Sequence, residues 1–236
     1  MKNKFGQVTI FIIISVVIVA LIVLFFILRG DIDISEITGG RDVAPKPFLE
    51  TCLEDRVQEG IKLISEQGGN IEPVLYKKFM FEEEGHYTNI SYLCYNQNYY
   101  LPCINQEPML MNHIEDEIKN YVSADVRTCF SDLVDSLENQ GYQVNPRYGG
   151  FEVELKEKRV SINIDADLTL TKTEETSRQE GFEIHFPSRV YEITMVVQRI
   201  INDEVLNCDF DIGEYSILYP EYDIERTQTN DFSNIY

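Results

Sequence analysis

Hydrophobic and polar positions divide the chain into stretches of different period. From Val8 to Leu28 the sequence VTIFIIISVVIVALIVLFFIL holds no charge, proline or glycine. At about 1.5 Å per residue it makes a helix of roughly 31 Å, so a transmembrane helix is expected there. Residues 30–46 follow, with glycines, a proline and alternating charge but no sustained apolar period, and predict a linker. From Pro47 to about Gln67 the positions Leu49, Leu53, Val57, Ile61 and Ile64 recur at helical spacing, and Gly68-Gly69 stops them. Cys52 lies beside that stripe, at the expected edge of the core.

Between Ile71 and Tyr100 the pattern changes to short extended pieces, among them ISYLCY, where Ile90, Tyr92 and Cys94 alternate with Ser91, Leu93 and Tyr95. Residues 107–140 predict two helices, EPMLMNHIEDEIKNYV and SADVRTCFSDLVDSLENQ, ended by Gly141. The clearest β signal comes next. Phe151, Val153 and Leu155, then Val160, Ile162 and Ile164, then Leu168 and Leu170 alternate with polar residues, and Glu157-Lys158 marks a hairpin turn. TKTEETSRQEG is expected as a loop and FEIHFP as a short strand. Ser188 then caps a helix from about Arg189 to Leu206, with Val190, Ile193, Val197, Ile200 or Ile201, and Val205 inward. The tail holds a strand-like SILYP. The expected fold is α+β: an N-terminal transmembrane helix, then an extracytoplasmic domain of antiparallel sheet with packed helices. Its parts are a flank and span at 1–29, a linker at 30–46, a helix-rich subdomain at 47–145 and a sheet-plus-helix part at 146–236 sharing one core with it.

Lys2 and Lys4 precede the apolar run and Arg29 follows it, a small bias that places the N-terminus inside and the rest outside as a single-pass protein of the cell membrane. The stretch KFGQVTIFIII resembles the N-terminus of archaeal type IV pilin-like proteins, where a short basic leader ends in a small residue before glutamine. That resemblance implies processing between Gly6 and Gln7, with the hydrophobic segment kept on the mature chain, and Phe11 stands where many such chains carry glutamate. Together with CLEDRVQEGIKLISEQGG, the start is also similar to uncharacterised single-pass exported proteins of small-genome archaea.

Charge and cysteines narrow the function. The formal net charge of −20 repels nucleic acid and gains nothing from counterion release, so nucleic-acid binding is excluded. Cys52, Cys94, Cys103, Cys129 and Cys208 all follow the apolar run, on the side where disulfides persist. Spacing alone leaves their connectivity open. The echo between TCLEDRVQEGIKLISEQGG and TCFSDLVDSLENQGY, each a Thr-Cys near the start of an amphipathic helix ending in Gln-Gly, favours Cys52 with Cys129. The short bracket favours Cys94 with Cys103, leaving Cys208 free.

Candidate chemistry is sparse. No G-x-S-x-G elbow, phosphate-binding loop or dinucleotide glycine fingerprint occurs, and His86, His113 and His185 have no metal-ligand spacing. Asp209, Asp211 and Glu214 alternate around a glycine as calcium ligands can, although not at EF-hand spacing, while Glu82-Glu83-Glu84 reads as a solvated turn. Asn89-Ile90-Ser91 fits the N-glycosylation triplet. Tyr92, Tyr95, Tyr99 and Tyr100 can pack a half-buried sheet or form a stacking platform. The expectation is a membrane-anchored surface protein with a structural, adhesive or binding ectodomain, whose partners are the lipid bilayer through Val8 to Leu28 and other cell-surface or filament proteins. The alternatives are an exported enzyme with a site of dispersed carboxylates and a pilin-like filament subunit.

Overall fold

The structure is a computed structural model that describes Ile18 and residues 43–81, 85–98, 100–229 and 234–235. Pro45 opens α1 (Pro45–Glu66), where its fixed φ and missing N–H cost nothing. Leu49, Leu53, Val57, Ile61 and Ile64 then form one buried face. Gly68 and Gly69 take φ of +69° and +90°, and the Gly69 N–H donates to the Ile64 carbonyl, so a left-handed turn ends the helix.

Where two helices are expected there is one, α2 (Leu110–Asn139), of 30 residues. Neither glycine nor proline interrupts it. Ile114, Ile118, Val122, Val126, Phe130, Leu133 and Leu137 continue one buried stripe through the expected break. α1 and α2 pack on each other. Gly60 permits the approach, since a Cβ there would lie 2.9 Å from Tyr121 Cδ1. Arg56 covers the Tyr121 ring at 3.8 Å from its centroid, donates to the Tyr121 hydroxyl at 2.6 Å and pairs with Asp125 at 3.3 Å. A disulfide from Cys52 to Cys129, with Cα atoms 5.9 Å apart, joins the same helices. Cys52 is exposed and Cys129 is buried.

After the short strands β1 (Tyr76–Met80), β2 (Tyr87–Ser91), β3 (Cys94–Tyr95) and β4 (Ile104–Asn105), the main sheet is an antiparallel meander of β5 (Gln143–Lys156), β6 (Arg159–Lys172) and β7 (Glu175–Pro187). Val153 and Leu155, Val160 through Leu170 at alternate positions, and Phe182, Ile184 and Phe186 supply the buried face. α2 packs against β5 and α1 against β7. The Leu155 N–H at the edge of β5 donates to Glu115 of α2 at 2.9 Å, and Lys119 reaches Glu152 at 2.6 Å, so the helix blunts this edge.

The expected loop TKTEETSRQEG is corrected to a tight turn and the first half of β7. Thr173, at φ +60°, makes the turn. Thr176 to Glu180 pair with Thr171 to Asp167. Backbone ladder bonds and the Arg178 pairs with Glu180 and Asp167 hold this exposed segment without burial.

β1 (Tyr76–Met80) and β2 (Tyr87–Ser91) form a hairpin, and β3 (Cys94–Tyr95) pairs with β4 (Ile104–Asn105). ISYLCY is therefore not one strand. The Tyr92 N–H turns to the Leu75 carbonyl and the Gln106 N–H donates to Leu93, while a Cys94–Cys103 disulfide closes the second pair.

The N-cap of α3 (Val190–Asn207) is Arg189, which makes no side-chain cap bond, and not the expected Ser188, whose hydroxyl accepts from the Val190 N–H at 3.2 Å one residue before the cap. Its buried residues are Val190, Thr194, Val196, Ile200 and Ile201; the expected inward Ile193 is 43% exposed. The stripe is rotated because Val196 and Ile200 face Phe210 and Tyr215 of the tail. There the expected strand SILYP is corrected to the end of a helix, α4 (Ile212–Leu218). Asp211 caps it by accepting from the Gly213 and Glu214 N–H groups. A last pair, β8 (Thr227–Gln228) with β9 (Asn234–Ile235), completes residues 44–236, which form one compact unit.

The fold is α+β with antiparallel sheets, but the expected transmembrane helix and single-pass membrane localisation are corrected. No helix among the described residues is long and apolar enough to cross a membrane. α1, α2 and α3 are each amphipathic, with charges between their apolar positions. Of the expected span Val8 to Leu28, only Ile18 is among the described residues, and Gly6, Gln7, most of the 30–46 linker, Glu82 to Glu84 and Tyr99 also lie outside them.

Candidate functional site

The N-terminal ends of α2 and α3 meet the C-terminal end of α1 beneath the disulfide-closed β3–β4 segment. A pocket of about 80 Å³ remains at this junction. Ile64, Gly68 and Gly69 form its α1 side, Leu110 and Ile114 its α2 side, and Leu93 projects from the chain just before Cys94. Val190, Ile193, Thr194 and Val197 close it from α3. The fold holds these parts in place through specific bonds. The Ser91 N–H donates to the Gln67 carbonyl at 2.9 Å, Asn70 reaches the Ser91 hydroxyl at 2.8 Å, and the Leu110 N–H donates to the Gln198 side chain at 3.3 Å.

Among the described residues, no side chain lining the pocket is ionisable. The Ser65 hydroxyl donates to the Ile61 carbonyl at 2.8 Å, and Thr194 is 3% exposed. The pocket is therefore an apolar socket. It lies well below the roughly 300–1,000 Å³ of small-molecule sites and is about half the size of a cavity of about 150 Å³ that accepts benzene. One aliphatic side chain fits that scale. Tyr95, Tyr100, Leu101 and Ile104 of the β3–β4 segment, and Met109 just before α2, are exposed apolar residues.

The residues singled out in the sequence lie elsewhere. Asp209 pairs with Arg226 at 2.6 Å, Asp211 caps α4, and Glu214 sits in its first turn; among the described residues no group of three or more His, Cys, Asp or Glu side chains could hold a metal ion. His113 bridges Asn70 at 3.0 Å and Glu107 at 3.4 Å at the start of α2. His86 is exposed near the β1–β2 turn.

His185 and Ser161 face each other across β6 and β7, with Oγ and Nδ1 3.1 Å apart. That contact has the composition of a nucleophile and base, but Ser161 is 0% exposed, so no substrate carbonyl reaches its oxygen. Hydrogen bonds from cations hold the carboxyls of Glu59, Glu154, Asp167 and Glu183 below their ordinary values, through Arg56, Lys156, Arg147 and Lys156 respectively. A general acid requires the opposite shift.

The socket itself was missed in the sequence, because Ile64, Val190, Ile193 and Val197 were read as stripes facing the core, Gly68-Gly69 as a helix stop and Leu93 as part of a strand. Compared with protein-family models, curated proteins and solved structures, the chain matches none.

Proposed function

We propose that this chain is an interaction module of an exported protein, and that the socket seats one aliphatic side chain of a basic partner polypeptide. The observation that carries the reading is an apolar pocket of about 80 Å³ lined without an ionisable group and bordered by an exposed, disulfide-closed segment. Its size favours one side chain over a cofactor or metabolite. The two disulfides favour an oxidising compartment. The net charge of −20 favours a cationic partner, whose association slows as salt is added.

The test is a methyl NMR titration of the full chain with N-acetyl-leucine amide, against N-acetyl-glycine amide as control. Burying one leucine side chain contributes about 1.5–3 kcal/mol, so half-saturation falls between about 6 and about 80 mM. The leucine compound should move the methyl signals of Ile64, Leu93, Ile114, Ile193 and Val197 along saturable curves, and the glycine compound should not. Equal responses to the two, or none, would refute the socket.

A further inference from the structure

Asn89-Ile90-Ser91 is the only Asn-x-Ser/Thr triplet in the chain, and it falls on the second strand of the β1–β2 hairpin. Side chains alternate across that hairpin. Phe79, Thr88 and Ile90 turn inward, and Ile90 Cγ2 lies 3.3 Å from where a Cβ on Gly68 would stand. The opposite face carries three cross-strand pairs: Met80 with Tyr87, Lys78 with Asn89, and Tyr76 with Ser91. Tyr87 is 70% exposed, Met80 44% and Tyr76 41%. A two-stranded hairpin thus presents apolar side chains to solvent around one half-exposed asparagine.

We infer that Asn89 carries an N-linked glycan whose first sugars cover this face. Tyr87 precedes Asn89 by two residues on the same face, about 6.6 Å away along the strand, within reach of a pyranose ring bonded to the asparagine nitrogen. The C–H faces of a sugar stack on a tyrosine ring, and Tyr76 and Met80 extend the platform. An occupant of that chemistry accounts for exposed apolar residues immediately around the chain's single acceptor triplet.

In the transfer, Asn89 Nδ2 bonds to the anomeric carbon of a lipid-linked sugar donor. The carbon–oxygen bond to the donor phosphate breaks, its electron pair leaves on the lipid phosphate oxygen, the amide nitrogen gives one proton to water, and no oxidation state changes. The folded hairpin dictates the timing. The Ser91 hydroxyl accepts from Asn70 at 2.8 Å and its N–H donates to Gln67 at 2.9 Å, so the triplet is engaged once the hairpin docks. Attachment therefore precedes docking.

Peptide mapping of the disulfide-bonded chain from its native source tests the modification, first on the wild type and then on two variants. The expected result is a glycan on the peptide holding Asn89, with loss in Asn89→Gln and retention in Ser91→Thr; a wholly unmodified wild-type peptide would overturn it. The platform is tested by thermal unfolding before and after enzymatic glycan removal. Removal should lower the melting temperature of the wild-type chain by about 2–4 °C and that of Tyr87→Ser by less than half as much. Equal shifts would overturn the stacking.

Discussion

Breaking the Cys52–Cys129 bridge should remove a large part of the stability of residues 44–236. The two cysteines are 77 residues apart, and closing a loop of that length contributes about 4.5 kcal/mol through the entropy of the unfolded chain. The nine-residue separation of Cys94 and Cys103 contributes about 2.6 kcal/mol by the same relation. Cys52 is exposed, so Cys52→Ala removes the cross-link with little packing loss, whereas Cys129 is 3% exposed and Cys129→Ala adds about 1 kcal/mol for the emptied site. The expected losses are therefore about 4.5 and about 5.5 kcal/mol, against a total of about 5–15 kcal/mol for a domain. Urea unfolding followed by circular dichroism, in a Cys208→Ser background to prevent exchange with that exposed thiol, measures both. A loss below about 1 kcal/mol for Cys52→Ala, or a greater loss for Cys94→Ala/Cys103→Ala, would refute the loop reasoning.

Gly150, at φ +123° beside the β5 register shift, should tolerate alanine poorly, with a loss of about 1–3 kcal/mol in the same assay; Gly149→Ala should also destabilise, because its new Cβ would stand 2.8 Å from Asp165 Cγ and 3.2 Å from the Asp165 carbonyl oxygen, so the Asp165 carboxylate that pairs with Arg147 must move. Arg147→Ala should let the Asp167 carboxyl titrate closer to its ordinary value by carbon-detected NMR. A carboxyl held low in the folded state stabilises above its unfolded pKa, and that stability is lost as pH falls through the folded value, so the variant should show a weaker acid dependence. Tyr215→Phe should lose about 1–2 kcal/mol with the hydroxyl's 2.7 Å bond to Asp203. Burial, then Asp203, pushes the Tyr215 phenol up, so its contribution is complete below the ordinary tyrosine range and lost as pH rises toward the folded value. An ultraviolet alkaline titration of the variant should lack the highest step.

What could be read from the sequence depended on whether burial or pairing shaped each segment. α1 and the middle of β6 were legible because one face of each meets the core, so Leu49 to Ile64 and Val160 to Leu170 carry the period of their element. The first half of β7 was not. Ser177 and Gln179 lie opposite Leu170 and Leu168, and the ladder holds them without an apolar alternation to announce it. SILYP has strand-forming residues, but the Asp211 cap and the burial of Tyr215 draw the chain into α4. The expected break in α2 rested on no terminating residue, and the stripe through Val122 and Val126 overrode it. The Thr-Cys echo led to the helix-joining disulfide although only Cys52 lies near a helix start: Cys129 falls in the C-terminal half of α2, and the two meet because α1 and α2 pack on each other. Nothing comparable marks the socket. Ile64, Leu93, Leu110 and Val197 come from four distant segments, and only their packing leaves a gap.

The measurement that tests the socket most directly is a filtered nuclear Overhauser experiment on the full chain with N-acetyl-leucine amide. If one aliphatic side chain seats between α1, α2 and α3, its δ-methyl protons should show contacts to the methyls of Ile64, Leu110, Ile114 and Val197 together. Contacts confined to exposed residues such as Tyr100, Leu101 or Ile104, or no contacts at ligand concentrations that shift those methyl signals, would contradict a binding socket at this junction.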